Sequence, residues 1–351
     1  MIEKYYNGVI EQVAGGIGNV EHNSILVRYS NDFSIWDLES VNHYKDQTDI
    51  FFTCHEFSYN KIAEAYEPYL GLIRQMFHKY CSGTLEEFME ECDVYKLQRP
   101  VFESYFEKGF CERTEQILID EVEYEQERMR NSIVTMLQKL SEIRPVVIVL
   151  NRFQLASKST MQLSNSLLQV KNKNIGIVLG VNDVQSIPEF AHEEWDAICE
   201  SMDDRNMVYH IGNAGRNMEP DVMDYYSDYE SDDGYRKLNN LVYFLDFDQA
   251  NHHLSKIERR IKFDNFTISE KKHYQLLLLQ IMVSVLQRDI AKALESCEDL
   301  EKLQDQEKEG AFYYNFWMAT SYMYLGKLEE AMIYVQKAKE CGAALGDDFL
   351  V

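Results

Sequence analysis

A few neighbouring residues are of types that do chemistry, and their spacing decides whether they can act together. Cys54–His55 follows an apolar run, but successive side chains on a strand point to opposite faces and rarely meet. His252–His253 lies in a helical pattern whose geometry directs the two rings differently, which makes a poor metal pair. His192–Glu194 lacks the second histidine of the zinc motif HExxH. We therefore predict no catalytic residue, no metal site and no cofactor at these positions.

A glycine cluster offers the next candidate, a loop that could hold a phosphate. The segment AGGIGNVEHNS contains Gly15, Gly16 and Gly18, and it precedes the first apolar strand of the chain. Phosphate-binding and dinucleotide-binding glycine loops instead follow a strand and open a helix. The position of this cluster favours a flexible turn.

Predicted strands and predicted helices, which would position a site, alternate along residues 1–215. Continuous apolar runs predict strands that are buried on both faces, because a strand with one face in solvent would alternate apolar and polar residues. The runs are Ser24–Tyr29, Asp49–Cys54, Pro145–Leu150, Asn174–Val181 and, more weakly, Asn206–Ile211. Helical patterns cover Ser34–Tyr44, Tyr59–Tyr80, Thr114–Ile143 and Ser159–Gln169. This alternation predicts an α/β domain with a parallel sheet between helical layers.

The chain has an acidic balance, with 59 acidic residues, 35 basic ones and a net charge of −24. Such a charge opposes a polyanion, so we predict no direct nucleic-acid binding. Residues 216–234 hold the acidic stretch EPDVMDYYSDYESDD, which predicts an exposed linker. The seven scattered cysteines form no CxxC pair and indicate reduced thiols. The absence of a signal-peptide pattern and of a long apolar run predicts a cytoplasmic chain without a membrane span.

The pattern becomes helical in residues 235–351, and three segments of it can be aligned. Each segment is a helix, a short turn with an acidic residue, and a second helix that opens near Ala250, Ala293 or Ala331. These alanines are 43 and 38 residues apart. The spacing is close to the roughly 34-residue period of TPR repeats.

The third segment carries the residues that resemble a TPR. The small and aromatic positions fall at spacings of 3, 4, 5 and 7 and are Ala319, Tyr322, Gly326, Ala331 and Ala338. The resemblance implies that small residues let the helices approach, that Tyr322 fills the space between hairpins, and that Gly326 permits the turn. Leu245 and Arg288 occupy the place of Gly326 in the other two segments.

The segment RPVVIVLNRFQLASKSTMQLSNSLLQ resembles the Walker B region of STAND-type P-loop ATPases, signalling ATPases that include LuxR-type activators of the maltose-regulator kind. Its apolar strand is present, and Gln154 and Ala156 lie where the family has a Gln-Trp-Ala-Asp-like element. The resemblance places Asn151 and Arg152 at the metal-binding and water-activating positions. Carboxylates there hold Mg²⁺ and orient the nucleophile, and an amide followed by a cation does neither job well.

The same resemblance places the phosphate loop after the first strand, where the family has GxxxxGK[ST]. Here the connection contains Asn31, Asp32 and Ser34, with no glycine or lysine, and Asp32 would repel a triphosphate. Asn182 stands where many members of the family have an arginine. The resemblance therefore implies a nucleotide site that has lost its chemistry within a retained frame.

These observations predict a P-loop-NTPase-like α/β domain followed by TPR-like helical hairpins of an α-solenoid. The function that we expect is that of a non-catalytic regulatory or scaffolding protein, in signalling or transcriptional regulation, with a protein or peptide partner on the hairpins. A homodimer through the last hairpin is a further expectation, because the terminal GAALGDDFLV is a poor polar cap. The alternative is a STAND-type switch that binds nucleotide at a divergent site, using Asn31 and Ser34 at a helix N-terminus.

Overall fold

The computed structural model describes residues 2–18, 23–30, 35–45, 49–58, 61–111, 122–170, 172–182, 191–203, 207–211, 231–263 and 267–346. Residues 216–230 of the expected linker, which covers residues 216–234, lie outside these ranges. The chain divides into two compact units, one made of residues 1–110 and 126–228 and the other of residues 111–125 and 229–351.

The first unit is built on a parallel sheet, as the apolar runs predict. Its described strands are β1 (Ser24–Tyr29), β2 (Phe51–Glu56), β3 (Val146–Asn151), β4 (Ile175–Asn182) and β5 (Val208–Ile211). They lie in the order β2-β3-β4-β1-β5, and every described pairing is parallel. Every residue of β3 and β4 is buried, which explains why their sequences are apolar without alternation. The α/β prediction is confirmed at this level.

Helix α1 precedes the first strand, and the other described helices of this unit lie between strands along the chain. The described ones are α1 (Ile2–Gly15), α2 (Glu39–Lys45), α3 (Tyr69–Tyr80), α4 (Leu85–Glu91), α5 (Arg99–Lys108), α6 (Val122–Ile143), α7 (Lys158–Gln169) and α8 (His192–Asp203). Ser157 caps α7 by accepting a hydrogen bond from the Thr160 N–H at 3.2 Å, which fixes the helix start right after β3 and its turn.

Two helix predictions were wrong in their extent. The helix expected from Tyr59 begins only at Tyr69, because Pro68 restricts the residue before it and Tyr66 has a left-handed φ of 56°. The helix expected over Ser34–Tyr44 is a 3₁₀ turn at Ile35–Asp37 followed by the short α2. Both breaks lie directly after the ends of strands and shape the edge of the sheet where the candidate site lies.

Helix α1, which the sequence analysis did not predict, covers one face of the sheet. Tyr6, Ile10 and Val13 on α1 are fully buried and belong to one core cluster with Val27 of β1 and Val149 of β3. Gly176 of β4 lies so close to this helix that a Cβ there would approach Val13 Cγ1 to 2.7 Å. Close packing of α1 on β4 therefore requires a residue without a side chain.

The described part of residues 231–346 consists of helices arranged as three consecutive hairpins. They are α9 (Asp232–Tyr243) with α10 (Phe247–Phe263), α11 (Glu270–Leu286) with α12 (Ile290–Glu301), and α13 (Gly310–Tyr324) with α14 (Leu328–Leu345). Serine or aspartate side chains at Ser231, Ser269 and Asp289 cap the first helices of two hairpins and the second helix of the middle one.

One turn geometry joins the two helices of every hairpin. Its middle residue is Leu245, Arg288 or Gly326, and each is left-handed, with φ of 66°, 65° and 71°. In each turn the next N–H donates to the carbonyl five residues back, namely Asp246 to Leu241 (2.8 Å), Asp289 to Ser284 (2.8 Å) and Lys327 to Tyr322 (2.9 Å). This is the Schellman type of helix end, which usually selects glycine. The backbone thus repeats even where Leu245 and Arg288 replace the glycine.

The residues that carry the TPR resemblance lie on the packed faces of these hairpins. Ala293, Ala319, Ala331 and Ala338 are buried, and Gly326 is at the turn. Tyr322 is half-buried and stacks on Tyr334 of the neighbouring helix, with ring centroids 5.5 Å apart. Small side chains at these contacts let α13 and α14 approach closely.

Candidate functional site

The candidate site is a row of residues at the carboxyl ends of the parallel strands. Glu56 of β2 is paired in register with Asn151 of β3, and Tyr29 of β1 is paired with Asn182 of β4. Ligands of open α/β sheets bind outside this edge, because the loops that can close over a ligand all begin there. The chemistry of this row therefore decides what the α/β unit can bind.

Asn151 lies at the centre of the row and is fully buried. Its side-chain oxygen accepts a hydrogen bond of 2.7 Å from the Tyr29 hydroxyl, and its backbone carbonyl accepts one of 3.0 Å from the Phe57 N–H. Its Nδ2 has no hydrogen-bond partner among the described residues. The amide is thus held within the protein by the end of β1.

Gly180 of β4 explains how Asn151 and Tyr6 both fit beside the sheet. A Cβ at this glycine would overlap the Tyr6 hydroxyl and lie 2.7 Å from Asn151 Oδ1. The Tyr6 and Tyr29 rings meet edge to face, with centroids 6.4 Å apart. Burial above all, and then the neighbouring Tyr29, Glu56 and Cys54, raises the pKa of Tyr6 well above its usual value, so its hydroxyl stays protonated.

Arg152 is the cation at this edge, and it has a carboxylate next to it. Its backbone is left-handed, with φ of 52°, and its Nη2 lies 3.6 Å from Glu56 Oε1. The other Glu56 oxygen accepts a hydrogen bond of 3.1 Å from the Ile35 N–H, at the start of the turn before α2. Glu56 therefore links the end of β3 to the connection that follows β1.

Glu56 is a site residue that the sequence analysis missed. It follows the apolar run of β2 by two residues, which is a visible but common signal. Its two partners are 21 and 96 positions away in the chain, and only the fold brings them together.

Gln154 and Asn182 form the other end of the row. Gln154 is fully buried in the 3₁₀ turn after β3, and its side-chain oxygen accepts a hydrogen bond of 3.2 Å from the Asn182 N–H. The structure thus brings together four of the residues singled out for this site: Asn151, Arg152, Gln154 and Asn182. Asn31, Asp32 and Ser34 lie outside the described residues.

The other candidates for catalysis or metal binding are the Cys54–His55 and His252–His253 pairs, and their pKa values are shifted by burial. Burial raises the pKa of the Cys54 thiol to about 11 and lowers the pKa of the His55 ring to about 4, so at neutral pH neither group is charged. The rings of His252 and His253 meet edge to face with centroids 5.4 Å apart, and burial lowers the pKa of each. Within the described ranges, no three histidine, cysteine or acidic side chains form a metal-binding group.

Within the described row, the side chains supply neutral hydrogen-bonding groups and one ion pair. Glu56 is its only carboxylate, and that group is engaged by Arg152 and by the Ile35 N–H. Mg²⁺ sites at such an edge use carboxylates together with phosphate oxygens and water. The Glu56 carboxylate and the side-chain oxygens of Asn151 and Gln154 are therefore engaged by protein groups, while Asn151 Nδ2 has no partner among the described residues.

No protein-family model, curated protein or solved structure matches this chain. Among the described helices, none is long and apolar enough to cross a bilayer.

Proposed function

We propose that the chain is a non-catalytic regulatory or scaffolding protein. In this proposal the α/β unit is a P-loop-NTPase-like platform without a working nucleotide site, and the helical unit is a TPR-like solenoid that binds a protein or peptide. The observation that carries the proposal is the hydrogen bond from Tyr29 to Asn151. This hydrogen bond holds Asn151, which occupies the position expected for a metal ligand, in the core.

Energetics support a structural role for Asn151. The 2.7 Å hydrogen bond from Tyr29 offsets part of the cost of burying the neutral Asn151 amide, whereas a carboxylate at a fully buried position carries a larger desolvation cost unless it is paired. Arg152 is the nearest charge along the chain, and it already faces Glu56. A divalent cation here would have to compete with contacts that the protein makes for itself.

The repeated turn supports the proposal for the helical unit. Three hairpins with the same Schellman turn and buried alanines at Ala293 and Ala331 form a stack of like units. Stacks of helical hairpins present extended surfaces to peptides and proteins.

Nucleotide binding is the decisive measurement. The melting temperature of the full chain is followed with and without millimolar Mg-ATP, and isothermal calorimetry checks the result. A ligand at 100 times its Kd stabilises a protein by about 2.7 kcal/mol, which shifts the melting temperature by several degrees. We expect no shift and no heat of binding, and a saturable shift would refute the proposal.

The rival function, a nucleotide-binding switch with a divergent site, is favoured by one observation. Arg152 is held in a left-handed conformation at the ligand edge, and such strain in a non-glycine residue is common at functional sites. If Arg152 contacts a phosphate, Arg152→Ala removes any ATP-induced shift, while the matched variant Lys158→Ala on α7 keeps it. If our proposal holds, the melting temperature of both variants is the same with and without ATP.

A further inference from the structure

Strand β2 has an open edge. It lies at one end of the strand order, and β3 is its only neighbour among the described strands. Every residue of β2 is half-buried, whereas every residue of β3 is buried. The stretch Phe51–Cys54 has no proline and no charged residue, and its register with β3 is continuous, so no bulge interrupts it. An edge that lacks these protections is a template for a further strand.

The hydrogen-bonding groups of β2 are used on one side. The Phe51 and Phe57 N–H groups donate to carbonyls just before and at the end of β3, at 2.7 Å and 3.0 Å. In a parallel ladder, alternate residues of a strand face the same neighbour. The main-chain groups of Phe52 and Cys54 therefore point to the open side, and no hydrogen bond within the described part of the chain uses them.

Aromatic rings border this edge on both faces of the sheet, because side chains along a strand alternate between the faces. On the α2 face, Phe52 stacks on Tyr44, with ring centroids 5.7 Å apart. On the α3 face, Phe51 meets Tyr80 edge to face, with centroids 6.1 Å apart. Both tyrosines are half-buried, so their rings can contact the side chains of an added strand.

Basic side chains surround the same strand and form no ion pair within the described ranges. They are Lys45, Lys61, Lys79 and Arg144. On the α3 face, Lys79 Nζ lies 6.0 Å from the centroid of the Phe51 ring. Arg144 Cζ lies 5.2 Å from the centroid of the Tyr80 ring. These cations are therefore available to a partner.

Electrostatic effects show that the other two cations are also close to the strand. Burial raises the pKa of the Cys54 thiol, and the charge of Lys45 acts in the opposite direction. Burial lowers the pKa of the His55 ring, and the charge of Lys61 lowers it further. Because Cys54 and His55 are consecutive and point to opposite faces, the cations flank β2 on both of them.

The carboxylates that adjoin the strand are engaged by the protein. Glu56 Oε1 lies 3.6 Å from Arg152 Nη2. Glu67 Oε1 lies 3.5 Å from His55 Nε2. Asp49, two residues before the strand, is an exposed acid set against the four cations. Complementarity thus favours an acidic occupant and disfavours a second copy, because symmetric pairing through β2 would bring like charges together.

We propose that the open edge of β2 binds an extended acidic segment of a partner protein, which joins the sheet as a further strand. The Phe52 and Cys54 main-chain groups pair with its backbone, the aromatic rings contact its side chains, and the lysines pair with its carboxylates. This surface belongs to the α/β unit, so the proposal does not depend on a peptide site on the hairpins.

A random octapeptide display library tests this surface. The full chain is the target, and peptides that also bind Cys54→Pro are discarded, because proline removes one outward N–H and is tolerated on an edge strand. We expect the remaining peptides to be rich in aspartate and glutamate, and to bind the control Cys54→Ala, which keeps the N–H, as tightly as the native chain. Circular dichroism melting checks that both variants fold. Recovery of no such peptide, or of a consensus without acidic residues, would overturn the proposal.

N-methylation of a selected peptide tests strand addition without any change to the protein. Alternate N–H groups of an added strand face β2, so methylation of one alternate set should lower the affinity by more than about ten-fold. Methylation of the other set should leave the affinity within about two-fold, since those groups face solvent. Equal losses at consecutive positions would contradict strand addition.

Charge reversal tests the acidic character of the occupant. The double variant Lys45→Glu, Lys79→Glu should lower the affinity of the selected peptide about ten-fold, and added salt should reduce this difference. Lys173→Glu, an exposed position before β4 and two strands from β2, should have no effect. Equal effects of both changes would overturn the assignment. A doubled mass that falls to one chain in Cys54→Pro would show that a second copy occupies the edge, and would overturn it too.

Discussion

Gly180 is the residue on which the geometry of the strand ends depends most directly. We expect Gly180→Ala to lower the free energy of unfolding by about 1 to 3 kcal/mol, because its Cβ would overlap the Tyr6 hydroxyl in a closely packed core. Urea unfolding measures the loss. Gly71→Ala is the control, since the nearest atom to a Cβ there is Tyr105 Oη at 3.9 Å.

A double-mutant cycle connects this cost to Tyr6. In the Tyr6→Phe background the overlapping hydroxyl is gone, so Gly180→Ala is expected to cost less than in the native chain. Strictly additive costs would mean that the strain arises elsewhere.

His253 determines part of the pH dependence. Burial first, and then His252 and Lys256, holds the pKa of His253 well below its usual 6.5. As the pH falls below 6.5, the unfolded chain binds a proton that the folded chain does not, so stability present at neutral pH is lost on acidification. One such group contributes at most about 1.4 kcal/mol per pH unit.

We therefore expect His253→Gln to flatten the decrease in stability below pH 6.5 by up to that amount. Urea unfolding followed by circular dichroism from pH 8 to 5 measures it for the native chain and the variant. Above pH 7 the two curves should run parallel, which serves as an internal control. Parallel curves below pH 6.5 as well would show that His253 titrates normally in the fold.

At the scale of elements, apolar runs predicted the strands well. A strand that is buried on both faces is apolar at consecutive positions, so it is visible in the sequence as a continuous apolar run. Helix α1 escaped notice although Tyr6, Ile10 and Val13 lie at helical spacing, a stripe that could have revealed it. The left-handed turns at Leu245 and Arg288 could not be predicted, because residue preference alone disfavours them there. Tertiary packing of the hairpins outweighs that preference.

The turn between α13 and α14 allows the free-energy cost of a left-handed non-glycine residue to be measured. Gly326 has φ of 71° with open space around a Cβ, so Gly326→Ala should lower the free energy of unfolding by about 1 kcal/mol through the backbone alone. Gly8→Ala, at an exposed helical position with equal space, should instead raise it by about 0.5 to 1 kcal/mol. Thermal unfolding reports both. A neutral Gly326→Ala would mean that the turn adapts to a side chain.

At the scale of the whole molecule, charge is unevenly distributed. The chain carries a net charge of −24, yet residues 310–346 have three lysines and three glutamates and so no net charge. Within these residues, the C-terminal apolar face consists of Met323, Leu325, Leu328, Met332, Ile333 and Val335, each between 46% and 66% exposed. Exposed apolar side chains grouped on one hairpin favour an interaction site, and the formal charges of residues 310–346 cancel.

We predict that this face pairs two copies of the chain. Light scattering after size exclusion should give twice the 41.3 kDa of one chain at micromolar concentration. The double variant Leu328→Glu, Met332→Glu places charges within the contact and should give the mass of one chain. Ile143→Glu, at an exposed apolar position outside the C-terminal apolar face, should leave the mass doubled. A native mass of one chain would contradict this prediction.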